Sequence, residues 1–124
     1  MASLMMSEDA QAWEATQRVF AAIRRERIAQ DAKWGEQNHP DGTGDDRHLF
    51  RTTSRDTYGT LCYLAKSATD RHAAQGDVTY ADILAEEVFE ALSALAVDEL
   101  RAELVQVAAV AVAWIESIDR RAGS

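Results

Sequence analysis

Cysteine is nearly absent from this chain. Cys62 stands alone among 124 residues, which excludes an intrachain disulfide and a cysteine-built zinc site. Proline occurs once and glycine six times, so little interrupts regular backbone. β-Branched runs are few, whereas Ala, Glu, Leu and Arg are abundant, a composition that favours helices. Positive charge is also scarce. Thirteen Lys and Arg face 21 Asp and Glu, for a net charge of -8, which excludes the basic footprint of a duplex-binding protein. The longest apolar run, Leu104 to Ile115, contains Gln106 and is too short to span a bilayer. Met1 to Ala10 has neither the basic region nor the apolar stretch of a secretory signal. These absences predict a cytoplasmic protein with no membrane and no nucleic-acid duplex among its partners.

What remains is 47% hydrophobic, enough for one sizeable core in a single domain. Residues 1–10 read as a flexible N-terminal tail and 11–121 as a single helical domain with a long loop at 35–53. Trp13, Val19, Phe20, Ile23 and Ile28 recur at helical spacing over Gln11 to Lys33. GEQNHPDGTGDD follows as a functional loop or lid, rich in turn residues. A second helix is predicted over Ser54 to Ala74, closed near Gly76. Thr79-Tyr80-Ala81-Asp82 forms a capping box for a third helix running to Ala96. Asp98 is the predicted cap of a fourth helix that reaches Arg121. The fold class is therefore all-α, a four-helix bundle. Between Leu104 and Ile115 the fourth helix keeps almost no polar face, and a helix apolar all round must be buried all round. A homo-oligomer, dimer or tetramer, built through the C-terminal helices satisfies that demand.

The chemistry concentrates in two polar pairs spaced i, i+3, a spacing that puts both members on one helix face. They are Glu87/Glu90 on the third helix and Glu103/Gln106 on the fourth, with Glu86 adjoining. In an antiparallel hairpin, the position numbers of facing residues have a constant sum. Glu87 with Gln106, and Glu90 with Glu103, share one sum, and its midpoint falls at the predicted turn between Ala96 and Val97. Ile83 and Ala94 share a stripe with Glu87 and Glu90, beside the apolar stripe of Leu84, Val88, Ala91 and Leu95. Three carboxylates gathered near a core repel one another and are costly to desolvate. Mg²⁺, a hard cation that takes oxygen ligands, relieves that repulsion and offers a place for a phosphate. A Glu-rich helix face is ordinarily just solvated, so the facing register carries the argument rather than EExxE alone.

These residues resemble a family. EExxE followed on the next helix by ExxD (here ExxQ) resembles the all-α nucleoside triphosphate pyrophosphohydrolases, which include MazG-like proteins and dimeric dUTPases. The resemblance covers Ile83 to Asp119 and extends to RIAQDAKWGEQ, Arg27 to Gln37, which is similar to the QxxKWGxQ stretch of MazG-like proteins. It implies a MazG-like fold. It also implies Mg²⁺, with Mn²⁺ a substitute, held by Glu87, Glu90, Glu103 and Gln106. A water activated by the metal would attack a nucleoside triphosphate to give the monophosphate and pyrophosphate, with Glu86, Glu87 and Glu90 in catalytic roles. One departure stands out: the family's last Asp is Gln106 here, an amide that can coordinate but adds no charge. An active enzyme, a catalytically weak nucleotide-binding or regulatory relative, and a helical oligomerisation protein are the three readings.

Around the substrate, Lys33 can meet a phosphate, Trp34 can stack on a base, and Gln30 or Gln37 can read its edge. Equally, Trp34 can be a core plug and Lys33 a surface residue. Lys66 on the second helix adds positive charge near a triphosphate or is plain surface. Glu36-x-x-His39 occurs once, ahead of Pro40, which excludes a di-iron bundle site. DGTGDD matches no phosphate-loop fingerprint. His48 and His72 are expected at the surface and Cys62 in the core.

Overall fold

The computed structural model describes residues 7–50 and 55–123. Over these residues the protein is all-helical. It has α1 (Glu8–Trp34), α2 (Tyr58–Ala74), α3 (Tyr80–Ser93) and α4 (Val97–Ala122), with no strand beyond one isolated bridge between His48 and Thr57. Among the described residues no helix is long and apolar enough to cross a membrane. The chain divides into two compact units, Met1–His39 with Val112–Ser124, and Pro40–Ala111.

The first unit holds α1 and the C-terminal part of α4. Ser7 accepts a hydrogen bond from Ala10 N–H, and Glu8 and Asp9 lie in the positive first turn, so α1 starts at Glu8 rather than at Gln11. A tail was expected through residue 10, and residues 1–6 lie outside the described residues. The helix ends where Gly35 takes a left-handed φ of 70° and its N–H reaches Asp31 O at 2.8 Å, a conformation open to glycine at low cost. Val19 and Val112 are buried here, and Thr16 Oγ1 donates to the Glu116 carboxylate. From residue 20 to residue 42 every side chain is exposed.

The second unit holds the loop, α2, α3 and the start of α4. α2 packs against α3, and Ala91 and Ala94 are the buried apolar positions. α2 begins at Tyr58 instead of Ser54, because Thr57 is its cap. Residues 55–57 are committed to the loop instead: Leu49 N–H bonds Asp56 O at 3.0 Å, and Tyr58 N–H bonds Arg47 O at 2.8 Å. Ser54 lies outside the described residues. The predicted capping box is present in full, with Thr79 accepting from Asp82 N–H and Asp82 accepting from Thr79 N–H. α3 stops at Ser93, three residues short of Ala96, because buried Ala94 turns to extended backbone (φ -62°, ψ 138°). Asp98 is not the cap of α4 but lies inside its first turn with Glu99, where a negative charge still favours the helix dipole.

Candidate functional site

α3 and the start of α4 bring three carboxyl groups together. Glu87, Glu90 and Glu103 are each half-buried, and one oxygen from each lies within 4.8 Å of the others. The helical i, i+3 spacing aligns Glu87 with Glu90 on α3, and the short turn after Ser93 returns the chain so that Glu103 meets them. Glu90 is within hydrogen-bonding reach of both neighbours and donates when protonated. Glu87 Oε2 is buried with no hydrogen-bond partner among the described residues. A buried carboxylate oxygen without a donor is costly.

The titration behaviour follows from this crowding. Burial, then the charges of Glu87 and Glu103, push Glu90 up to about 7. Burial, then Glu103 and Glu86, also raise Glu87, while the hydrogen bond from Glu90 acts in the opposite direction. Near neutral pH the cluster therefore tends to keep one proton, the response of like charges held together in a partly desolvated place. A divalent cation would replace that proton. The donor set is all oxygen, and it includes one buried oxygen with no partner, so the residues fit a hard cation.

A cavity of about 400 Å³ opens on Glu90 and Glu103, and Asp45, Cys62, Lys66, Ser93 and Glu99 also line it. Lys66, exposed on α2, is therefore placed beside the acidic pair. Asp45, Ser93 and Glu99 escaped the sequence reading. Ser93 and Glu99 had a signal: each shares a helix face with a cluster residue, three positions after Glu90 and four before Glu103. Asp45 had none, because the loop that delivers it is set by tertiary bonds. Gly44 N–H bonds Leu92 O at 2.9 Å, and Gly59 N–H bonds Asp45 O at 3.1 Å. At Gly59 a Cβ would stand 3.2 Å from that same carbonyl, so glycine lets the loop approach α2. The segment expected to act as a lid is thus tied down at Gly44 and Asp45.

Other predicted residues fall elsewhere. Half-buried Glu86 contributes charge to the cluster through Glu87 and Glu90. Gln106 is exposed on α4. Gln30, Trp34 and Gln37 line a cavity of about 680 Å³ in the first unit, together with Arg27, Asp31 and His39 among others. Arg27 is engaged there, donating to Gln30 Oε1 and Asp31 Oδ1 at 2.7 Å each. Lys33 Nζ lies 4.8 Å from the Trp34 ring centroid, a cation–π contact. Trp34 is 61% exposed, which removes the reading of it as a core plug.

The two histidines expected at the surface are both half-buried and paired. His48 Nδ1 lies 2.8 Å from Asp56, and His72 Nδ1 lies 2.9 Å from Asp82. Sequence spacing gives no sign of either pair, since the first depends on how the loop before α2 folds back on itself and the second on how α2 meets α3. Cys62 is half-buried rather than in the core; burial and the nearby Glu90 raise its thiol pKa, which disfavours the reactive thiolate. No protein-family model, no curated protein and no solved structure matches the chain.

Proposed function

We propose that the protein is a Mg²⁺-dependent nucleotide pyrophosphohydrolase with a MazG-like fold, converting a (deoxy)nucleoside triphosphate to its monophosphate and pyrophosphate. The observation that carries the reading is the convergence of Glu87, Glu90 and Glu103 around one buried, unpartnered carboxylate oxygen. In this reading Glu87, Glu90 and Glu103 hold the cation, and Gln106 is an outlying amide donor. Bound Mg²⁺, or Mn²⁺ in its place, would supply an activated nucleophile and charge neutralisation for the leaving phosphates. Glu86 and Glu90 orient water and accept its proton. Lys66 offsets phosphate charge from the cavity wall. Lys33, Trp34, Gln30 and Gln37 are substrate-binding candidates on the strength of the sequence resemblance alone.

The reading includes self-association through α4. Leu104 and Val105 are 51% and 53% exposed on that helix, and a second copy covers them. The decisive assay incubates the protein with a nucleotide panel and Mg²⁺ or Mn²⁺ and measures pyrophosphate. Release that disappears in Glu87→Ala and Glu90→Ala supports the proposal, and a protein that releases none from any nucleotide defeats it. The exposed amide at Gln106 favours one second reading, a catalytically weak nucleotide-binding relative. Nucleotide binding by calorimetry without pyrophosphate release distinguishes that case. Neither binding nor release leaves a helical oligomerisation protein.

A further inference from the structure

We infer that the outward stripe of α1 is an interface with the same stripe on a second copy of this chain, the two helices running antiparallel. The inference does not depend on the nucleotide reading, and it uses a surface other than the exposed apolar side chains of α4. Within the first unit, α1 is engaged on one side, where Thr16 bonds Glu116 and Val19 is buried. From Phe20 to Trp34 every side chain is exposed, a length of about four turns. A helical segment of that length with nothing packed on it is marginal in water. At about 100° per residue, Trp13, Phe20 and Ile28 fall in one stripe about 80° wide, with Gln17 and Arg24 between them, turned away from Val19. All three large apolar side chains are exposed. A cavity of about 340 Å³, lined by Trp13, Glu14, Gln17, Arg18 and Ala21, borders the same stripe.

Charge decides the occupant. The start of α1 carries Glu8, Asp9 and Glu14 with no basic residue among them, and its remainder carries Arg18, Arg24, Arg25, Arg27 and Lys33 against Glu26 and Asp31. A parallel pair of these helices sets like ends together. An antiparallel pair sets the acidic end of each against the basic end of the other, and two-fold symmetry makes every contact twice. In such a pair, residues on the same flank of the seam meet. Glu14 and Arg25 share one flank, and Asp9 and Arg27 share the other. A single register brings both sets together. That register also sets Trp13 against Arg24 of the second copy, a cation–π pairing, and Phe20 against Gln17 at the cavity wall. Among the described residues neither Glu14 nor Arg25 forms an ion pair within its own chain. An anionic lipid surface is a poorer match, because Glu8, Asp9 and Glu14 lie along the same helix.

The test is sedimentation of the full chain over a range of protein concentrations, with circular dichroism as the folding control. The parent self-associates at micromolar concentration. Phe20→Glu raises the concentration needed for association about tenfold or more, because it places an unpaired charge in each half of the seam. Its helical content is unchanged, since Phe20 is exposed in the single chain. Glu14→Arg and Arg25→Glu each weaken association, and the double variant regains it. Val105→Glu, on α4, leaves the dependence on Phe20 in place. A parent that stays monomeric, a Phe20→Glu variant that associates as the parent does, or a double variant no better than its single variants overturns the inference. So does a wholly monomeric Val105→Glu protein, which assigns all association to α4. A monomeric parent that binds anionic vesicles assigns the stripe to a lipid surface and overturns it as well.

Discussion

His72 Nδ1 lies 2.9 Å from Asp82 Oδ2, which ties the last turn of α2 to the first turn of α3. The same oxygen accepts from Thr79 N–H and from Thr79 Oγ1–H, each at 3.0 Å. The bond to His72, followed by that to the Thr79 amide, holds Asp82 below the usual carboxylate range. A carboxyl lowered in the folded state stabilises the fold above its unfolded pKa, about 3.9. That contribution is lost as pH falls through the lower folded value. Asp82→Asn should therefore melt below the parent at neutral pH, and the gap should close in acid. Thr79→Ala removes the cap and should cost about 1 kcal/mol in urea unfolding; an unchanged midpoint would show that the cap contributes nothing.

Glu90 gives the opposite sign. Its folded pKa of about 7 lies above the ordinary 4.5 of a glutamate, so between these values the folded state binds the extra proton. Without a divalent ion, stability then declines as pH rises through that window. Glu90→Gln should reduce the decline, leaving the part due to Glu87, and melt at or above the parent at pH 8 in chelator. Adding Mg²⁺ at a hundredfold excess over its Kd should stabilise the parent by about 2.7 kcal/mol and leave the variant unmoved. Equal responses from the two proteins would remove Glu90 from the cation site.

Metal affinity should also rise with pH in the parent, since Mg²⁺ competes with the Glu90 proton for the same oxygens. The steepest change is expected around pH 7. A pH-independent Mg²⁺ isotherm between pH 6 and pH 8, read by calorimetry, would contradict this coupling.

Gln106 lies three residues beyond Glu103 on α4, one helical turn away. Gln106→Asp adds a fourth carboxylate near the cluster and should tighten Mg²⁺ binding several-fold, with a further rise in Glu90 pKa in the metal-free protein. Unchanged metal affinity would place position 106 outside the coordination shell.

Leu104 and Val105 leave about half of their surface exposed on α4. Val105→Glu introduces a charge onto the apolar face. Light scattering should then give a lower mass for the variant than for the parent at micromolar concentration. A parent that scatters as a monomer would refute self-association through this helix.

Much of this protein follows from local rules. The Thr79–Asp82 capping box starts α3 where the residues say it should, because a cap is built from four consecutive positions. The i, i+3 spacing of Glu87 and Glu90, and the register that sets Glu90 against Glu103, are likewise properties of helical repeat and turn length. Helix ends were less legible. Ser7 and Thr57 caps moved two starts, and the extended Ala94 shortened α3, since each depends on which neighbour accepts a backbone bond.

The acidic cluster was thus already determined by sequence: which carboxyl groups, on which faces, near which turn. Tertiary structure decided what surrounds it. The loop's bonds to Leu92 and Gly59 bring Asp45 to the cavity, and contacts between segments distant in sequence carry no periodic signal. The same is true of the pKa shift on Glu90, which arises from burial and from the like charges of Glu87 and Glu103 rather than from anything its own sequence position specifies.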